Sequence, residues 1–89
     1  MKAIVSVIGK DHVGIIAGVC GLLSEMNINI LDITQTILED NFTMTMLVDI
    51  AESPKTFDDV ASALQTYGEG QQLSIRIQRE DIFTAMHRI

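Results

Sequence analysis

Tryptophan is absent, and the aromatic side chains that remain are three phenylalanines and one tyrosine in 89 residues. A core built from this chain is therefore aliphatic and methionine-rich, drawn from the 47% of residues that are hydrophobic. Exposed aromatics are also what a β-sheet needs to stack nucleic-acid bases, and no motif of that kind occurs. Positive charge is scarce: six Lys and Arg stand against twelve Asp and Glu, a formal net charge of −6. That balance argues against a phosphate backbone or an anionic membrane surface as partner. Cys20 is the single cysteine and cannot form an internal disulfide; between Val19 and Leu22-Leu23 it reads as a small buried hydrophobe. No apolar run is long enough to span a bilayer. The N-terminal run is interrupted by Ser6 and closed by Gly9-Lys10-Asp11, unlike a secretory signal, so a reduced, cytoplasmic setting is expected.

Motifs for breaking bonds are missing too. There is neither a Gly-x-Ser-x-Gly elbow nor a Walker lysine. His12 and His87 are the only histidines; with Asp11 they could be imagined around a metal, but no pair has helical ligand spacing. Asp58-Asp59 complements a helix dipole. No catalytic residue, metal site or cofactor is expected.

What is present is order. The length predicts one small domain, burying roughly 60–65% of its unfolded surface, for which self-association is a plausible source of extra stability. Ala3 to Ile8 is apolar on both faces apart from Ser6, the mark of a central strand. A helix follows from Ile15 to Met26, with Ile16, Val19, Cys20, Leu23 and Met26 as its expected core stripe. Gly14, Gly18 and Gly21 fall on its other side, and no charge interrupts Val13 to Leu23; a partner helix close against this smooth face is one explanation, a poorly optimised exposed face the other. A second strand runs roughly from Ile28 to Leu38, its alternation slipping near Ile30-Leu31 as at a bulge. Glu39-Asp40-Asn41 reads as a hairpin turn into a third strand, in which Phe42, Met44, Met46, Val48 and Ile50 alternate with smaller or polar residues. Thr56 and Asp59 resemble a capping box for a second helix, striped by Phe57, Val60, Ala61, Leu64 and Tyr67 and expected to end at Gly68 and Gly70. Leu73, Ile75 and Ile77 alternate through a fourth strand.

The order βαββαβ predicts an α+β, ferredoxin-like sandwich with two helices on one face of a four-stranded antiparallel sheet. Residues 1–80 form this domain. Residues 81–89 are expected to form a short amphipathic helical tail whose Ile82, Phe83, Met86 and Ile89 need cover from the domain or from a dimer partner.

The run Gly9-Lys10-Asp11-His12-Val13-Gly14 carries the strongest functional signal. It is a tight turn delivering a strand to a helix start, where unpaired N–H groups and the dipole favour a carboxylate, and Asp11 is the expected cap. Asp32 and Gln35 on the second strand could accept from an ammonium group, or serve as polar residues on an edge strand.

Gly9-Lys10-Asp11-His12-Val13-Gly14-Ile15 followed by Asn29-Ile30-Leu31-Asp32-Ile33-Thr34-Gln35, within a βαββαβ chain, resembles an ACT domain. The tail Asp81-Ile82-Phe83-Thr84-Ala85-Met86-His87-Arg88-Ile89 narrows the resemblance to the stand-alone ACT proteins of the UPF0237 group, similar in turn to the ACT portions of the glycine cleavage system transcriptional repressor. The resemblance implies a regulatory module, not an enzyme, that binds an amino acid between subunits and signals to a protein partner. It places Gly9, Asp11, His12, Val13 and Gly14 on one side of a ligand and Asn29, Leu31 and Asp32 of a second subunit on the other. A homodimer meeting through Gly14, Gly18 and Gly21 is the expected assembly. The alternatives are an interaction dimer that binds nothing, and a small metal protein or enzyme using Asp11, His12 and His87.

Overall fold

The computed structural model describes residues 1–80. The expected tail, His87 included, lies outside the described residues. The elements are β1 (Lys2–Lys10), α1 (Ile15–Glu25), β2 (Asn29–Leu38), β3 (Asn41–Asp49), α2 (Phe57–Gln71) and β4 (Leu73–Arg79). They form one antiparallel sheet in the order β2-β3-β1-β4. The apolar first strand lies inside the sheet, and β2 and β4 are its edges.

Period-two alternation fixes which residues face the helices. Ala3, Val5 and Val7 pair with Val48, Met46 and Met44, and all six are fully buried. Val19 and Leu23 of α1, with Val60 and Leu64 of α2, close the same core from above. The aliphatic and methionine core expected from composition is the one observed, with Phe42 its one fully buried aromatic among the described residues and Phe57 and Tyr67 packed at its margin.

Three local expectations change. The α1 stripe keeps Val19, Leu23 and Met26, which are buried as expected, but takes Ile15 in place of Ile16, which is 38% exposed, and leaves Cys20 only half-buried. The apolar residues come in adjacent pairs there, and α1 turns Ile15, Val19 and Leu23 inward and leaves Ile16, Cys20 and Leu22 at the margin. The α2 helix does not stop at Gly68 but runs on to Gln71, and Gln72 in the left-handed conformation ends it. Gly68 is instead a point of close approach, since a Cβ there would lie 2.7 Å from the Leu73 carbonyl oxygen. Gly18 is likewise filled within the chain: the Tyr67 hydroxyl of α2 occupies the space its side chain would take. That side of α1 is packed against α2, whereas Gly14 and Gly21 have open space beside them.

The slip in the second strand is a bulge. Ile30 pairs with Val48 but Asp32 with Leu47, so Leu31 is the extra residue. Beyond it Ile33, Gln35 and Ile37 lie opposite Met46, Met44 and Phe42, on the helix-bearing side of the sheet. Neither helix covers them: Ile33 is 40% and Ile37 53% exposed.

Candidate functional site

The β1–α1 turn is held at the end of the sheet where β2 and β3 form their hairpin. The Asp11 N–H donates to the Asp40 carbonyl at 2.8 Å, tying the turn to that hairpin. His12 Nδ1–H donates to the Val13 carbonyl at 3.2 Å, and Val13 is completely exposed. Gly14 is the N-cap of α1 and sits at φ 90°, ψ 3°, a left-handed conformation that costs glycine little. Asp11 is therefore not the cap. Its backbone is engaged by Asp40, and no side chain caps α1 at all. The first intrahelical bond runs from the Gly18 N–H to the Gly14 carbonyl, so the N–H groups of the first turn point outward without an intrahelical acceptor. With no acidic residue in that first turn, the positive end of the helix is left uncompensated.

A cleft of about 270 Å³ opens at this helix start. Asp11, His12 and Gly14 form one wall; Ile16 and Ala17 of α1 and Gln35 and Ile37 of β2 form the rest, over Phe42. The residues that alternation leaves bare on β2 and those that the uncapped helix leaves bare thus share one depression. Gly9 does not belong to it. A Cβ on Gly9 would lie 2.6 Å from Leu73 Cδ2, so this glycine lets β4 pack closely.

Asn29, Leu31 and Asp32 lie at the other end of β2. Asn29 is opposite Asp49, whereas the turn abuts the Asn41 end of β3, roughly 25 Å away at the usual strand rise. One chain does not bring the two halves of the expected site together. Asp32 Oδ1 accepts from the Ile33 N–H at 2.9 Å, steadying the backbone just after the bulge, and its second oxygen is left for another donor. Leu31, at the bulge, is 43% exposed. Asn27, beside them in sequence, donates to the Glu52 carbonyl at 2.9 Å and is a structural residue.

Ile16, Ala17, Ile37 and Phe42 are cleft residues that the motif-based reading left out. The signal for Ile37 and Gln35 was present: after a one-residue bulge, alternation carries both to the helix-bearing side.

A larger cleft, about 580 Å³, runs between α2 and the edge of β4, where Gln65, Glu69 and Arg76 contribute polar groups. Its lining includes no helix start, so the smaller cleft is the better candidate for an anionic group. Among the described residues, no three His, Cys, Asp or Glu side chains gather to hold a metal. Burial pushes the Cys20 thiol up from its ordinary value. No helix among the described residues is long and apolar enough to cross a membrane.

Comparison with known proteins follows the same lines. The ACT domain model matches residues 2–78. A UPF0237 protein of Listeria monocytogenes is 53% identical over 89 residues, covering all of both chains. An ACT domain protein from Streptococcus pneumoniae superposes with a TM-score of 0.83 at 40% identity, covering 93% of each chain. A structure assigned as a glycine cleavage system transcriptional repressor superposes with a TM-score of 0.76 at 25% identity, over 86% of this chain and 44% of that one. The chain belongs to the ACT domain family, and within it to the UPF0237 proteins.

Proposed function

We propose that this protein is a regulatory module, not an enzyme, that binds a small amino acid between two copies of itself and passes the resulting change to a protein partner in the cytoplasm. One observation carries the reading: the uncapped start of α1 and the uncovered side of β2 open into the same cleft. Apolar surface at Ile16, Ile33 and Ile37 favours a second copy, and the free N–H groups beside it favour a carboxylate.

A twofold axis near the middle of β2 would join the separated halves of the site. Two antiparallel β2 edges related this way set the Asn29–Asp32 end of one copy beside the hairpin end of the other, next to its His12–Gly14 turn. The ligand carboxylate would lie near the N–H groups of His12, Val13 and Gly14. Its ammonium would face Asp11 and the second copy's Asn29 and Asp32. Gly14 and Gly21 have room for close approach at this interface, whereas Gly18 is already occupied by Tyr67. A ligand bound across the pair favours whichever arrangement of subunits it fits better, and a partner protein can read that shift.

A second reading has its own support: the isoleucine patch alone suffices to drive pairing with no ligand. A thermal-shift screen of the full chain against the twenty amino acids separates the two, because a ligand of the native state raises apparent stability by mass action. An upward shift with one amino acid, growing with its concentration, supports the regulatory reading. No shift with any at millimolar concentration leaves the ligand-free dimer as the function.

A further inference from the structure

The β4 strand is an open edge. Among the described residues no strand pairs with its outer side, and its seven residues run against β1 in unbroken register, with no proline, glycine or bulge to blunt them. Alternate residues of such an edge turn N–H and C=O groups outward with no partner in the sheet. Depressions flank it on both sides. The cleft of about 580 Å³ lies towards Gln65 and Glu69 of α2, and a second, of about 320 Å³, lies over Ser6 on the helix-free side. Ser74, Arg76 and Gln78 border both, so β4 stands between them.

Charge selects what can add to this edge. In a chain of net charge −6, β4 carries Arg76 and Arg79 and no acidic residue. Arg76 is its middle residue, exposed opposite Ser6, and makes no hydrogen bond or ion pair among the described residues. A second copy added through a twofold axis at that point would set Arg76 against its own counterpart, and like charges directly opposite are unfavourable. An acidic side chain in the same place is attracted instead. Towards α2 the sign is reversed, because Glu69 repels an acid there.

We propose that the β4 edge takes an extended segment of a protein partner as a fifth strand of the sheet, with an acidic side chain facing Arg76 and uncharged side chains turned towards α2. Main-chain hydrogen bonds hold the segment, alternation sends its side chains in turn to the two depressions, and Arg76 selects the sequence. This edge lies across the sheet from β2, so the proposal holds or fails whether or not an amino acid binds there.

The test is an amide titration by nuclear magnetic resonance of the full-length protein. The probes are an acetylated, amidated heptapeptide of threonine and valine with one central glutamate, and the same peptide with lysine in its place. At millimolar glutamate peptide, shifts and slowed amide exchange are expected along residues 73–79 and not along β2. The lysine peptide should bind roughly three- to tenfold more weakly, and Arg76→Glu should reverse the order of the two. Arg76 is exposed, so the other amide signals of the variant should keep their places; the wild-type comparison decides the matter without it. No response of residues 73–79 to the glutamate peptide overturns the proposal, and so does an equal response to both peptides. Shifts along 73–79 that grow with protein concentration alone would overturn it in favour of a second copy.

Discussion

The two edges of the sheet are finished in opposite ways. On β4, Leu73 and Ile75 face the helices and are 7% and 6% exposed. On β2, Ile33 and Ile37 face the same side and are 40% and 53% exposed. Both strands close a βαβ unit, so the difference lies in the helices. The α2 helix has 15 residues and packs along β4, helped by Gly68, whose missing side chain lets the crossover to Leu73 fold tightly. The α1 helix has 11 residues, leans on α2 through the Gly18–Tyr67 contact, and barely reaches β2. One half of the fold completes its own core. The other leaves apolar surface beside an uncapped helix start, which is the half that the proposed pairing and ligand would use.

Substitutions on the finished side should cost the most. Leu64→Ala on α2 removes a fully buried side chain and is expected to destabilise the protein by about 2–5 kcal/mol in denaturant unfolding. Ile37→Ala on the bare side should leave the stability of the dilute, dissociated protein within about 0.5 kcal/mol. Comparable losses at both positions would erase the contrast.

Ile37→Asp tests the bare side as an interface. Each copy loses the burial of the bare half of one isoleucine, about 0.8–1.5 kcal/mol, and a twofold pair loses it twice. Association should weaken by roughly 10- to 10²-fold in sedimentation equilibrium, with the far-UV circular dichroism unchanged. An unaltered mass would move the interface elsewhere.

Gly18→Ala distinguishes packing from propensity. Alanine alone would favour the helix by about 0.5–1 kcal/mol. The Tyr67 hydroxyl fills the site, so a net loss of about 1–3 kcal/mol is expected in urea unfolding, with partial recovery when Tyr67→Phe is added. A stabilising Gly18→Ala would show that Tyr67 moves aside freely.

The smallest effect concerns acid. The Ala51 N–H donates to Asp49 Oδ1 at 3.0 Å and holds this carboxyl below its ordinary value, aided by the amino-terminal charge and Lys2. Its stabilisation is present above the unfolded carboxylate pKa, about 3.9, and is lost as pH falls through the lower folded value. Asp49→Asn should slightly flatten the acid limb of the stability profile; an unchanged limb would mean that these bonds are already absent in solution.

Much of the fold was legible because period-two alternation and two apolar stripes are strong local signals, and even the bulge at Leu31 announced itself as a slipped pattern. The register of α1 was harder. Ile15-Ile16, Val19-Cys20 and Leu22-Leu23 offer a stripe through either member of each pair, and only the position of the sheet chooses between them. The glycines misled for a related reason. Gly18 answers to Tyr67, 49 positions further along, and Gly68 to a carbonyl in the next strand, so neither role is a local property. The anion-friendly turn was legible from Gly9 to Gly14, but its cap was not, since the tie from Asp11 to Asp40 depends on where the hairpin lands. Of the β2 half of the cleft, Gln35 was singled out and Ile37 was not, because covering a strand depends on the length and tilt of the helix above it.

The central claim, a site shared between the bare edges of two subunits, is tested most directly by mixing two defective variants. Val13→Glu places a negative charge at a fully exposed position beside the helix start, and Asp32→Ala removes the proposed acceptor at the far end of β2. Each variant alone should bind the amino acid found by the thermal-shift screen far more weakly than the wild type in titration calorimetry. After the two are mixed and allowed to exchange subunits, half of the pairs are heterodimers with one intact site, so roughly a quarter of the wild-type binding capacity should return. Recovery of that capacity is the predicted result; binding that stays lost after subunit exchange would contradict a site built from both chains.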